Sequence, residues 1–244
     1  MAEQKFWNEE AMRIPVIQQL VKNWEKIRDE ALVFLNSKNP ETYEGKTTVS
    51  LLDSKIKTYE IVHKEDEDSI NGNFIKLFPK AEESGEWNIV YIAENRKRQN
   101  NNGDLKELND YYEKKTVKQT SKSTYDLSSY AISFFKTFNS IIEEHAPGMC
   151  SACIISILSP GTEIGSHFGV KGYLRFHLCL VNDPKCTITV GNETSSWEEG
   201  KVLSFKDGGP YAHSVSHKGS KDRIVIIFDM PLDYVKQFIP NILS

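Results

Sequence analysis

The sequence predicts a mainly β fold, a sandwich or jelly roll with helices laid over one of its sheets. Six short apolar runs crowd into residues 150–232, each parted from the next by turn chemistry. Helical periodicity is confined to the first 149 residues. The 244-residue chain carries 39% hydrophobic and 26% charged side chains, a balance that suits one packed domain. A single domain over residues 1–244 is therefore expected. Residues 1–149 would form a helical and mixed part packing on a β core at 150–232.

Taken in order, Pro15 suits the first turn of a helix, because a missing N–H costs nothing there. Ile17, Leu20, Val21, Trp24, Ile27, Ala31 and Leu35 then recur at helical spacing, up to a stop at 36–40. Three β-like runs follow, at 58–62, 74–78 and 87–92, with an acidic run at 65–68 that reads as a solvated loop. Residues 94–104 are the most polar stretch and read as a long exposed loop. Asp126 can cap a second helix reaching His145, with Tyr130, Phe134, Phe138, Ile141 and Ile142 on one face, and Pro147-Gly148 ends it. The strands expected next are Ala152–Leu158, Leu174–Val181, Cys186–Val190, Lys201–Phe205, Ala212–Ser216 and Arg223–Asp229. Pro, Gly, Asn and Asp clusters separate them.

Charge and cysteine content narrow the function. Thirty-four acidic against 30 basic residues, net −4, speak against nucleic acid as a partner, since tracking phosphates needs an excess of Lys and Arg. The first residues have no apolar leader, and no run of about 18 apolar residues occurs, so neither secretion nor a membrane is expected and a cytoplasmic location follows. Cys150 and Cys153 have C-x-x-C spacing but enter a β-branched run, without the strand-to-helix turn of a redox site. All four cysteines read as buried structural thiols. Gly45-Lys46-Thr47 resembles the end of a phosphate loop, but Pro40 stands where that loop needs glycine, and no G-x-S-x-G nucleophile elbow occurs.

The chemistry gathers in the β half. His167, His177, His213 and His217 lie within 51 residues, together with Arg175 and Arg223. Strand alternation puts Arg175, His177 and Cys179 on one face of their strand, opposite four large apolar residues, so that face meets either solvent or a polar cavity. Arg223 and Asp229 share a face with Val225 and Ile227. Imidazole suits Fe, Zn, Cu or Ni, and non-haem Fe(II) oxygenases use two His and one carboxylate, commonly two residues after the first His. In His167-Phe168-Gly169 that position is glycine. His217 lies four residues, about 13 Å, along a strand from His213; it cannot share one ion with it and is expected at the barrel mouth or exposed.

Residues 156–229 resemble the oxygenase domain of the aspartyl/asparaginyl β-hydroxylase family. The resemblance rests on the Ser156–Thr162 stretch, His167-Phe168-Gly169, Leu174-Arg175-Phe176-His177-Leu178, Asn192-Glu193-Thr194 with Trp197–Leu203, Ala212-His213-Ser214-Val215, and Arg223. It implies a double-stranded β-helix, a cupin-like jelly roll, and an Fe(II)- and 2-oxoglutarate-dependent dioxygenase. Such an enzyme consumes O2, hydroxylates an amino-acid or peptidyl Asp/Asn-like side chain, and releases succinate and CO2. It further implies His167 and His213 as metal ligands and Arg223 with Ser156 on the distal carboxylate of 2-oxoglutarate. Arg175 and His177 would hold the metal-proximal carboxylate. Tyr173 stands where the family places another basic residue, and the interval from Asp207 to His213 is longer than in vertebrate members. Each role suits its side chain: a guanidinium fork matches a carboxylate, and two inward Arg would balance a dianion. Two other functions use the same residues: a radical halogenase binding halide at the glycine-vacated site, and a jelly-roll binding protein without turnover.

Overall fold

The computed structural model describes residues 4–36, 87–93 and 131–243. Among them two antiparallel sheets face each other as a jelly roll. The larger has the order β1-β2-β9-β4-β7, built from Trp87–Tyr91, Ser151–Leu158, Arg223–Pro231, Tyr173–Val181 and Val202–Lys206 respectively. The smaller runs β3-β8-β5-β6, from Glu163–His167, His213–His217, Cys186–Val190 and Glu193–Ser196. The mainly β expectation and the jelly-roll core are both met.

Alternation along β4 and β9 divides the interior into two cores. Leu174, Phe176, Leu178 and Leu180 of β4, with Ile224, Ile226 and Phe228 of β9, face outward into a helical layer. Their neighbours Cys179, Val225 and Ile227 point between the sheets, against Ile164, Ile188 and Val215. Every residue of β9 is buried, the signature of a central strand covered on both faces. The outer core is aromatic: Phe176 stacks on Phe228 at 5.2 Å, and Phe138 meets Phe228 edge-on at 6.0 Å. Each such ring contributes about 1.5–3 kcal/mol by burial.

The helical layer comprises α1 (Pro15–Lys22), α2 (Trp24–Asn36) and α3 (Lys136–His145). The single helix expected from Pro15 to Leu35 is therefore two. Asn23 leaves the helical region at φ −107°, ψ 13°, and its side-chain amide donates to the Gln19 carbonyl, 2.8 Å. This back-bond competes with continuation of the helix. Of the second expected helix, residues 126–130 lie outside the described residues, and the helix is not continuous: a turn at 133–135 interrupts it before α3 runs on to His145. The β-like runs at 58–62 and 74–78, the acidic run at 65–68 and the polar stretch at 94–104 also lie outside the described residues.

Residues 6–8 cross the outer edge of β7. Phe6 bridges Phe205, Trp7 N–H donates to Ser204 O at 2.9 Å, and Asn8 Oδ1 accepts from Ser204 N–H at 2.7 Å. Among the described residues no helix is long and apolar enough to cross a membrane. All four cysteines are free and buried.

Candidate active site

Strand pairing brings the chemical residues together between the sheets. His167 ends β3, His213 opens β8, and the two are partners in the antiparallel register. Directly opposed residues share a face, so their rings lie 4.1 Å apart, centroid to centroid. His167 Nδ1 sits 2.8 Å from the Gly165 carbonyl; with its proton there, Nε2 is the nitrogen that could coordinate a metal. His213 Nε2 lies 3.6 Å from Asp207 Oδ1. Burial lowers the pKa of both, and for His213 the neighbouring His167 and Arg175 add to it. Both imidazoles are thus held neutral, the form that binds metals.

Asp207, one residue beyond β7, was not a candidate from sequence. Its carboxylate is buried and accepts from Val170 N–H at 2.9 Å. A Cβ at Gly169 would run into that carboxylate. The space beside His167 that the glycine leaves is filled from another strand. Burial raises Asp207 to about 6, opposed by Arg175 and reinforced by Asp229. Gly169→Ala is expected to destabilise the fold by about 1–3 kcal/mol through overpacking. Read from urea midpoints, Gly169→Ala combined with Asp207→Ala should cost less than the sum of the two single changes, because the truncated side chain no longer meets the new methyl.

Arg175 does not face the cavity as an unmatched cation. Its Nε and Nη2 donate to Asp229 Oδ1 and Oδ2, each at 2.8 Å, and Nη1 lies 2.8 Å from Asp207 Oδ1. The register sets this up, since Arg175 and Asp229 are cross-strand partners. The idea that two arginines share a bound dianion's charge therefore needs correction: two carboxylates of the protein already match Arg175.

Arg223 is different. It is 2% exposed, and its Nε and Nη1 have no hydrogen-bond partner among the described residues. The guanidinium sits 4.9 Å over the Trp197 ring. His177 is likewise buried; its Nδ1 accepts from Trp197 Nε1–H at 3.2 Å, while Nε2 has no partner. Burial, with Arg223 and then Arg175, holds His177 well below its usual pKa. Ser156, on β2, is fully buried and accepts the Trp87 indole N–H at 2.9 Å. The interior thus holds a neutral histidine pair at one end and an unmatched cation at the other, with His177 between.

His217 is neither at a mouth nor exposed. It is fully buried, with Nε2 2.8 Å from Lys221 O and Nδ1 accepting from Gly219 N–H at 3.2 Å. Both ring nitrogens are spent on the β8–β9 turn. Among the described residues no three His, Cys, Asp or Glu side chains form a ready metal cage; the side chains here that could hold a metal are the imidazole pair, with Asp207 beside it.

The chain is similar in sequence to known hydroxylases. Over 84 residues the chain is 39% identical to mouse aspartate beta-hydroxylase domain-containing protein 2, covering 33% of this chain and 24% of that protein. Human aspartyl/asparaginyl beta-hydroxylase is 43% identical over 77 residues, 31% of this chain and 10% of that one. The ornithine lipid ester-linked acyl 2-hydroxylase of Rhizobium tropici is 37% identical over 100 residues, 38% of this chain and 34% of that one. The matches span about a third or less of each relative. The family model for aspartyl/asparaginyl beta-hydroxylase is matched much more widely, over residues 21–231. From the end of α1 to the last residue of β9, then, the match takes in helices and sheets alike, and the chain belongs to the aspartyl/asparaginyl β-hydroxylase family.

Proposed function

We propose that the chain is an Fe(II)- and 2-oxoglutarate-dependent dioxygenase that hydroxylates an amino-acid or peptidyl Asp/Asn-like side chain. Arg223 carries the reading. A fully buried guanidinium with two nitrogens unpartnered is costly unless an anion enters to match it. A diacid with one carboxylate at Arg223 would meet a neutral N–H donor, His177 Nε2, on its way to the histidine pair. Bound Fe(II) would supply O2 activation, coupling decarboxylation of the keto-acid to succinate and CO2 with hydroxylation of a C–H bond.

The protein's own groups do the rest. His167 and His213 would hold the metal through neutral nitrogens. Arg223 and the Ser156 hydroxyl would take the distal carboxylate, and Trp87, by donating to Ser156 Oγ, leaves the hydroxyl proton to point at that anion. Arg175 fixes Asp207, whose carboxylate brings negative charge next to His213. That same carboxylate disfavours a halogenase, because a halide beside Gly169 would face it across a short gap. The four free thiols suit a reducing compartment, and we place the activity in the cytoplasm.

Anaerobic addition of Fe(II) and then 2-oxoglutarate should give the visible metal-to-ligand charge-transfer band, and admission of O2 should release succinate. A folded protein that binds no keto-acid would overturn the proposal. Binding without succinate from any amino-acid or peptide substrate would favour the binding-protein alternative, and a halide requirement the halogenase.

A further inference from the structure

We propose that Trp197 is a positioning residue of the cosubstrate pocket: by donating its indole N–H to His177 Nδ1 it fixes the tautomer that carries its proton on Nε2, so that a donor and not a lone pair faces the anion. The inference rests on the cosubstrate reading above and adds to it a residue that need not touch the ligand.

An indole N–H can only donate, and a neutral imidazole has one N–H and one acceptor. The 3.2 Å bond from Trp197 Nε1 therefore requires an unprotonated Nδ1. The proton is then on Nε2, the buried atom that lacks a partner. The opposite tautomer would set N–H against N–H and turn a lone pair toward a carboxylate. Doubly protonated His177 meets the same clash. The geometry leaves the ring little freedom to escape. The His177 and Trp197 planes are 9° apart with centroids at 5.9 Å, as an in-plane hydrogen bond demands, and Phe205 stands edge-on to His177 at 5.5 Å. Trp197 is itself held, its carbonyl accepting from the Asn182 amide. The face of the same indole lies under Arg223, 4.9 Å from Cζ. One side chain thus sets the polarity of the proximal donor and supports the distal cation.

Selective 15N-histidine labelling of the full chain tests this without metal or cosubstrate. Signals of His177, identified by their loss in His177→Gln, should show Nδ1 in the unprotonated range and Nε2 in the protonated range. Trp197→Phe keeps an aromatic side chain beside Arg223 while removing the N–H donor, along with part of the ring system. It should shift both signals toward a tautomer average and weaken anaerobic 2-oxoglutarate binding about five- to tenfold, with Fe(II) affinity unchanged. The wild-type spectrum decides even if the variant misfolds. A proton on Nδ1, or a folded Trp197→Phe with an unaltered spectrum, overturns the inference while leaving the cosubstrate reading intact. Wild-type protein that shows the expected tautomer yet binds no 2-oxoglutarate overturns the cosubstrate reading and the role given to Trp197 with it.

Discussion

Replacing His213 with alanine should abolish the charge-transfer band and reduce succinate formation below about 1% of wild type, since a group essential to the chemistry carries several kcal/mol of barrier lowering. With one imidazole left and Asp207 held by Arg175 and Val170, no second neutral donor stands opposite His167. The fold should survive. His213 Nδ1 has no hydrogen-bond partner, and Asp207 keeps its ties to Val170 and Arg175. The variant should melt within a few degrees of wild type, which separates loss of metal from loss of structure. Retention of the band would put the metal elsewhere.

Arg223→Met has two opposite effects. Truncating one side of a buried charge pair weakens binding by about 2–5 kcal/mol, so 2-oxoglutarate affinity should fall about 30- to 1,000-fold or more, with Fe(II) still bound. The protein without cosubstrate should meanwhile gain stability. Its guanidinium is desolvated, enough to lower even an arginine pKa, and no carboxylate matches it. Exchanging buried charge for an apolar chain of similar volume is often worth about 1–4 kcal/mol. Lost contact with the Trp197 face, about 2 kcal/mol when desolvated, offsets part of that gain. A higher melting temperature together with failed keto-acid binding is the expected pair of results. Normal binding in Arg223→Met would remove the distal carboxylate from this residue.

Much of this arrangement is legible from the chain itself, and the reasons are local. Four bulky residues alternating with Arg175, His177 and Cys179 mark β4 as a strand with a dry face, whatever lies opposite. Strands β3 and β6 escape notice because Glu163-Ile164-Gly165-Ser166-His167 has one large aliphatic residue and Glu193-Thr194-Ser195-Ser196 has none. The helix break at Asn23 carries neither Pro nor Gly; only the back-bond to Gln19 discloses it. His217 misleads because its burial depends on Gly219 and Lys221, in a turn whose path alternation cannot give. Asp207 is hidden for a similar reason. Its relation to Gly169 crosses 38 residues and four strands, and a glycine in H-x-G reads as a vacancy until the neighbour filling it is known. Arg175 and Arg223 look alike in sequence, and the buried carboxylates that separate them come from pairing between strands.

The crossing of residues 6–8 over β7 bears on how copies of the chain meet one another. Among the described residues β7 is the last strand of its sheet, and a bare last strand offers a ladder of amide and carbonyl groups to any other molecule carrying a similar edge. Phe6, Trp7 and Asn8 occupy that ladder at Phe205 and Ser204. A short extended segment thereby guards that margin against sheet-to-sheet polymerisation.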